Sequence, residues 1–494
     1  MLKNKYFIIL VLILFILPGV WALLQPGFFL SDDGEWMVIR FSAFYENLVN
    51  GQFPVRFLSR LNNGFGYPVS NFLYPLFMYI GTPIHALGFS FVDTIKIILG
   101  GSLILGGIFS FLWLRRMFGN AASFAGALVY SLFPYHLWDI YKRGSVGEVL
   151  ALSIVPFILW QTKRRNLTLV SLGIGSLIVS HNTLALLFLP VIAGYMILNT
   201  NLKFLFLTML LGLGLSAFFS LPAIYDLRFT VFSQVSVSNF SDYFINQTNL
   251  SLLGLISPAI IILSVLLFKK NKNFLYFLLI TLVSAFLTFD ISSIFWKFLS
   301  PLVQFPFRFL SVVMLGLAFL AAFNIEKLTG RVQKTALTII ILLIFISAKD
   351  FLYPSKLQNY PDSYYSTNQD TTTVKNEYMP KWVKNLPLSY SSKVEVVEGS
   401  SKIENLKLSP NKIMFDAFSE GKIQVNTVYF PGWKVFVNGE EAGVSYEENG
   451  LIMFDIQEKE NKIEAKFAET NLRLFFDFIS IISLILVVGW LRFK

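Results

Sequence analysis

The residues of this chain best suited to chemistry lie in one stretch behind its first apolar run. Ser31–Gly66 reads SDDGEWMVIRFSAFYENLVNGQFPVRFLSRLNNGFG, with Asp32, Asp33 and Glu35 followed by Arg40, Arg56 and Arg60 among dense aromatics. An ionised carboxylate can take a proton from a hydroxyl acceptor or ligate a divalent ion. Arginines beside it suit a phosphate leaving group, because guanidinium binds phosphate bidentately. Arg56 and Arg60 could equally contact lipid headgroups. From Asp33 onward, Trp36, Ile39, Arg40, Ala43, Phe44, Asn47 and Leu48 recur at helical spacing and predict a helix with one apolar face. Ser31 or Asp32 can cap it, and Asp32 with Glu35 has capping-box spacing. That reading accounts for Asp32 and Glu35 and leaves Asp33 as the reacting acid, kept ionised by the helix dipole. Gly51 and Pro54 end the helix, and Asn62–Pro68 reads as a turn-rich surface. A semi-apolar piece ending near His85 is expected to dip into the interface without crossing.

The elements that must hold these residues are membrane helices. Of 494 residues, 55% are hydrophobic and only 14% charged, well below the roughly 25% of soluble domains. Apolar runs near 6–24, 91–114, 121–138, 147–162, 167–180, 183–199, 204–221, 252–268, 273–289, 307–323, 335–348 and 472–491 predict twelve spans. A first run retained as a span fits better than a signal peptide over Met1–Ala22. The net charge of +10 invites nucleic acid, but the basic residues sit in short loops between spans. Lys3, Lys5, Arg115, Arg116, Lys163–Arg165, Lys203, Lys269, Lys270, Lys272, Lys327, Arg331, Lys334, Arg492 and Lys494 share one side with a single acid, Glu326. The positive-inside rule makes that side cytoplasmic, with both termini inside. Asp32, Asp33, Glu35, Asp139, Arg143, Glu148, Asp226, Arg228, Asp290, Arg308 and the three histidines then face outward. No ionisable residue falls at the middle of a span, which argues against an ion-driven carrier. The absence of cysteine excludes disulfides and thiolate metal sites.

Composition changes near Lys349. A polar linker over 353–390 is followed by alternating strands at Val394–Val396, Ile413–Phe415, Ile423–Val425, Val435–Val437, Ile452–Phe454 and Ile463–Ala465, with a hairpin signal at Asn438-Gly439. The expected organisation is a multi-span membrane domain over 1–348, containing the first external loop 25–90. An extracytoplasmic linker and β-sandwich-like domain follows over 349–471, then a final transmembrane helix and cytoplasmic tail over 472–494. Tyr429, Phe430 and Trp433 form an aromatic set that could stack on sugars or serve as core.

The run Asp33–Arg40, the block GFGYPVSNFLYP (Gly64–Pro75), RGSVGEVLA (Arg143–Ala151), His181-Asn182 and QFPFRFL (Gln304–Leu310) occur in one order. Together they resemble the bacterial membrane proteins labelled 6-pyruvoyl-tetrahydropterin synthase-related, a family similar in layout to the glycosyltransferase C (GT-C) superfamily. The resemblance covers roughly 28–350. Three separated histidines do not make the zinc cluster of soluble pterin synthases. The superfamily implies a polyprenyl-phosphate sugar donor, an acid in the first external loop and transfer outside the cytoplasm. By position Asp33 matches that acid, although Asp32 stands where relatives tend to have histidine and Met37 replaces a further family histidine.

On this reading Asp33 is catalytic, Arg143 and Arg308 bind donor phosphate, and Arg56, Arg60, Glu148 and His181 join them in substrate binding. Glu148 has a structural alternative, an ion pair closing the hairpin at a helix N-terminus. Asp33 with Asp32 could hold a divalent cation, Mg or Mn. The outer loop over 222–250 could form an acceptor-side lid. The expected function is transfer of a sugar from polyprenyl phosphate to a glycan or cell-envelope acceptor at the bacterial cytoplasmic membrane, with no nucleic-acid partner. The competing expectations are a non-catalytic polymer-assembly or lipid-carrier accessory protein, and a lipid-linked substrate flippase.

Overall fold

The computed structural model describes residues 5–234, 239–457 and 459–492. Lys3 and Lys494, used above to orient the chain, lie outside the described residues. Each predicted apolar run contains helix, and six of the twelve hold a helix of spanning length among the described residues. Phe91–Leu114, Val146–Lys163, Asn182–Asn199, Pro306–Lys327, Gly330–Phe351 and Asn471–Trp490 are long and apolar enough to cross a membrane. Counting each of two bent pairs as one span gives eight. The chain is therefore a helical membrane protein with six to eight candidate spans among the described residues, and the expected twelve are not shown. Lys5–Gly19, Leu167–Ser180 and Ile256–Leu266 are apolar but shorter. The bends explain part of the difference: Leu202–Leu215 turns by 67° into Ala217–Phe229, and Lys272–Leu287 by 93° into Asp290–Val303. Hydropathy counts apolar residues along the chain and carries no information about direction.

Short asparagine caps let these helices begin abruptly. Asn166, Asn201 and Asn271 each accept a hydrogen bond from a first-turn amide of the helix that follows, and Ser90 does the same for Phe91–Leu114. Small residues set the close approaches. A Cβ on Gly126 would lie 2.4 Å from the Ala318 carbonyl oxygen, so Asn120–Leu132 can pack against Leu310–Lys327 only through glycine there.

The first external loop is not the surface expected. Its helix, Gly34–Val49, is buried along Met37–Phe44. In the turn-rich segment behind it, Phe57, Leu58, Leu61, Phe65, Tyr67 and Val69 are all fully enclosed. Periodicity marked this segment as turns correctly but could not show that the β region covers it. Phe57 packs against Trp433 and Phe467, with ring centroids 5.5 Å from each. The Val428 amide donates to the Phe65 carbonyl at 2.8 Å, and Lys393 donates to the Gly64 carbonyl at 2.6 Å. Leu76–Ala86 closes the loop as a helix too short to span.

Arg56 and Arg60 belong to this docking rather than to a phosphate site. Arg56, 2% exposed, donates to Glu469 (2.6 Å), Asp477 (3.1 Å) and the Phe218 carbonyl (2.9 Å). Beside it Arg473 pairs with Asp226 at 2.8 Å. Arg56 thereby clamps the start of the last helix, Asn471–Arg492, to the first loop, and Arg473 ties it to the Ala217–Asp226 helix. Arg60 binds Glu46 (3.0 Å), Ser42 (2.6 Å) and the Asn368 carbonyl (3.1 Å), fastening the linker to the first external helix. Breaking a buried pair leaves its partners unpaired and costs about 3–5 kcal/mol. Arg56→Ala is therefore expected to destabilise the protein by roughly that amount in a denaturation assay while the surviving folded fraction keeps its affinity for anionic ligands.

Beyond the linker, strands form two sheets. One runs in the order Lys402–Ser409, Lys412–Phe418, Glu460–Phe467, Trp433–Val437, Glu440–Ala442; the other in the order Val394–Gly399, Gly421–Val428, Leu451–Ile456. All the pairings within both are antiparallel. Alternate residues such as Ile413, Phe415 and Ala417 are buried, as the period of two requires. Phe430 and Trp433 lie in the core at 0% and 4% exposure, so they do not form a sugar platform. Tyr429 stacks on Tyr446 with a 4.0 Å centroid separation.

Candidate functional site

At one end of the membrane helices a cavity of about 500 Å³ is walled by Asp33, Arg40, Arg143, His181, Arg308 and the linker residues Thr372–Lys375, Glu377 and Tyr378. Local backbone structure places its charges. Asp33 is the N-cap residue of Gly34–Val49. Its amide donates to the Arg143 carbonyl at 2.8 Å, and the Asp32 amide to the Lys142 carbonyl at 2.9 Å. The strand Phe28–Phe29 just before it is paired with Leu357–Gln358 of the linker. Arg143 ends a π-helical turn, Asp139–Arg143, which is terminated by Gly144 in the left-handed region (φ 67°). A Cβ on Gly144 would fall 2.6 Å from the Ser31 hydroxyl and 2.7 Å from the Gly34 amide nitrogen, so glycine is required by conformation and by space alike. Arg308 sits in the short turn Pro306–Phe309 that opens the Leu310–Lys327 helix, with proline in its first turn.

Glu148 holds the two arginines together. Fully buried in the first turn of Val146–Lys163, it accepts from Arg143 Nη1 at 2.5 Å and Arg308 Nε at 2.9 Å through one oxygen. The Tyr135 hydroxyl donates to the other at 3.2 Å. Arg143 also binds buried Asp139 at 2.9 Å, and Arg308 binds Gln304 at 2.8 Å and the Val303 carbonyl at 3.0 Å. Glu148 thus stands behind the cavity wall, not on it, and corrects the expectation that it touches substrate. His181 caps the Asn182–Asn199 helix through Nδ1, which accepts from the Leu184 amide at 3.2 Å. That bond leaves the proton on Nε2, 3.5 Å from Glu148 Oε1. The ring leans on Tyr74 with centroids 4.5 Å apart.

Asp33 faces this cluster, its Oδ2 3.7 Å from Arg143 Nη2 and its side chain 32% exposed. Burial pushes its carboxyl above the ordinary aspartate value, against the pull of Arg143, Arg40 and Arg308. The direction is opposite to the expected dipole effect, because desolvation outweighs the helix terminus. The capping box is absent too: the Ser31 hydroxyl accepts from the Gly34 amide at 3.2 Å. Asp32 pairs instead with exposed Lys142 at 2.9 Å, and Glu35 accepts from the Tyr364 hydroxyl at 2.7 Å.

No family model matches the chain. It is 26% identical over 265 residues, 49% of its length, to an uncharacterized protein of Lactococcus lactis subsp. cremoris (strain MG1363), and spans 43% of that relative. Among solved structures it resembles the arabinofuranosyltransferase AftD from Mycobacteria, with a TM-score of 0.53, 12% identity, and coverage of 74% of this chain and 28% of that one. It also resembles the apo oligosaccharyltransferase of Archaeoglobus fulgidus, with a TM-score of 0.50, 14% identity, and coverage of 76% and 61%. The fold is GT-C-like. Nothing in these comparisons supports the pterin-synthase-related label.

In this GT-C-like frame Asp33, Arg143, His181 and Arg308 share one cavity, whereas Arg56 and Arg60 lie outside its wall. From the 222–250 loop, Phe232, Asn239, Asp242 and Tyr243 reach the cavity. The donor set does not suit a protein-caged metal. Among the described residues no three His, Cys, Asp or Glu side chains could hold one ion. Asp32 is turned to Lys142, and the charges acting on Asp33 are three arginines against one carboxylate, Glu148, a balance that opposes a divalent cation.

Sequence reading passed over two contributors. Arg40 stands two helical turns from Asp33, a spacing legible in the chain; it donates through Nε to the Thr372 hydroxyl (3.3 Å) and through Nη2 to the Thr372 carbonyl (2.5 Å). The linker it holds carries non-glycine residues in the left-handed region at Thr372 (φ 60°), Lys375 (φ 53°) and Asn376 (φ 53°). Burial raises the Glu377 carboxyl of this linker to about 7, while Arg40 pulls it down. A carboxyl raised on folding contributes stability below its unfolded value, near 4.3, and loses it as pH rises through about 7. The neighbouring Tyr378 amide, bonded to the Tyr67 hydroxyl at 2.9 Å, reports on that docking. Its hydrogen-exchange protection is expected to fall as pH rises from about 5 to about 7, by at most about tenfold per unit, and to level off above that. Glu377→Gln should abolish the trend.

Proposed function

We propose that this chain transfers a sugar from a polyprenyl-phosphate donor to a glycan or cell-envelope acceptor at the outer face of a bacterial cytoplasmic membrane. The observation that carries the proposal is the meeting of Asp33 with Arg143 and Arg308 in a single cavity of a GT-C-like fold. Asp33 accepts the proton of the acceptor hydroxyl as its oxygen attacks the anomeric carbon. The bond from that carbon to the phosphate oxygen breaks with inversion, and polyprenyl phosphate departs with the bonding pair. Arg143 and Arg308 stabilise the charge that accumulates on the leaving phosphate, an effect strengthened by partial desolvation. Glu148 keeps the two guanidiniums together before substrate arrives. The raised Asp33 carboxyl makes it a better base than an exposed aspartate.

The test is incubation of the purified protein with radiolabelled polyprenyl-phosphate sugars and acceptor glycans. The expected result is sugar release that rises with pH through the Asp33 titration and survives EDTA. Binding of carrier lipid without release from any donor would point to the lipid-carrier accessory role instead.

A further inference from the structure

We propose that the β region carries a binding cleft for a neutral glycan, between the linker segment 385–391 and the three-stranded sheet. The cleft encloses about 330 Å³, within the range of small-ligand sites. Asn385, Gln424, Asn426 and Asn449 line it, with Tyr390 supplying a ring and Glu395 the one carboxylate among its lining residues. Glu395 is already satisfied, accepting from the Ser391 hydroxyl at 2.9 Å and the Ser392 amide at 3.3 Å.

The chemistry of this wall selects its ligand. A phosphate finds no arginine or lysine lining it, and a metal ion finds a single carboxylate. A sugar hydroxyl donates and accepts at once, as a side-chain amide does. The amides are ordered in advance. Asn449 Nδ2 donates to Gln424 Oε1 at 3.0 Å, Gln424 Nε2 to Asn426 Oδ1 at 2.8 Å, and Asn426 Nδ2 to the Ser392 carbonyl at 2.7 Å. The Leu451 amide fixes Asn449 Oδ1 at 2.9 Å. Gln424 and Asn449 each retain one N–H without a hydrogen-bond partner among the described residues. Pre-ordered donors of this kind lower the entropy cost of binding.

The cleft also has a place relative to the larger cavity. Tyr378 lines that cavity and Asn385 lines the cleft. The chain between them can span at most about 25 Å. A glycan held here is within reach of the cavity through its own length. Glycan binding stands without the transfer reading; use of the cleft to present an acceptor rests on it.

The experiment uses the full chain in lipid nanodiscs, titrated with neutral gluco-, manno-, galacto- and rhamno-oligosaccharides. Wild type and Asp33→Asn are expected to bind at least one of these equally. Gln424→Leu and Asn449→Ala, each with unchanged melting behaviour, are expected to bind it about tenfold more weakly. Failure of every oligosaccharide to bind wild type, or undiminished binding by both cleft variants, overturns the proposal. Equal binding by Asp33→Asn that lacks transfer separates the cleft from the catalytic reading.

Discussion

Asp33→Asn is expected to lower sugar transfer by about 10²–10⁴-fold, the usual contribution of a positioned general base. The substituted amide keeps the shape of the side chain but cannot take a proton. The change should leave the fold intact, because Arg143 retains Glu148 and Asp139 as partners and the Asp33 backbone amide still donates to the Arg143 carbonyl. Donor affinity should therefore hold while kcat falls. Asp32→Asn is the matched control: its partner Lys142 is exposed, and surface pairs of that kind are worth about 0–1 kcal/mol. Equal loss in both variants, or full activity in Asp33→Asn, would remove Asp33 from the chemistry.

Glu148→Gln is expected to have the largest effect on stability of any single change at the site. It deletes the charge that lies between Arg143 and Arg308 and leaves Asp139 as the nearest compensating acid in a fully buried cluster. Loss of one partner from such a buried network costs about 3–5 kcal/mol. Whatever folded protein remains should show a raised KM for the phosphate-linked donor, since the two guanidiniums would no longer be held together. A variant that melts like wild type, with an unchanged KM, would show that the arginines are positioned by other contacts. Glu148→Asp, which keeps the charge but shortens its reach, should recover part of the stability.

The two expectations draw on different levels of information. That an acid follows the first apolar run, with arginines at the ends of later helices, is written in local composition and spacing. Charge partition among the loops already grouped Asp33, Arg143, His181 and Arg308 on one face. The structure brings these four to one cavity. The choice among their neighbours was not legible. Arg56 and Arg60 look as suitable for phosphate as Arg143 does when read along the chain, yet they are consumed by Glu469, Asp477 and Glu46. Glu148 is the helix-terminal acid that the sequence suggests, paired with nearby Arg143, but its second bond, to Arg308, makes it the tie between two arginines. The bonds of Arg56 to Glu469 and Asp477, and of Arg308 to Glu148, leave no mark in sequence, because each joins residues far apart in the chain.

By itself the sequence determined that this is a helical membrane protein, where its long apolar helices lie and how its last strands alternate, since each follows from hydrophobic content and short-range period. Only the tertiary structure decided which helices bend, which arginines are left facing a cavity, and that residues 372–378 return to close it beside Asp33. Those outcomes depend on packing between distant segments, where burial and competing ion pairs choose the partner. Asp33 shows the difference most clearly. Its position beside a helix start pointed to a lowered carboxyl pKa, and enclosure by the folded chain raised it.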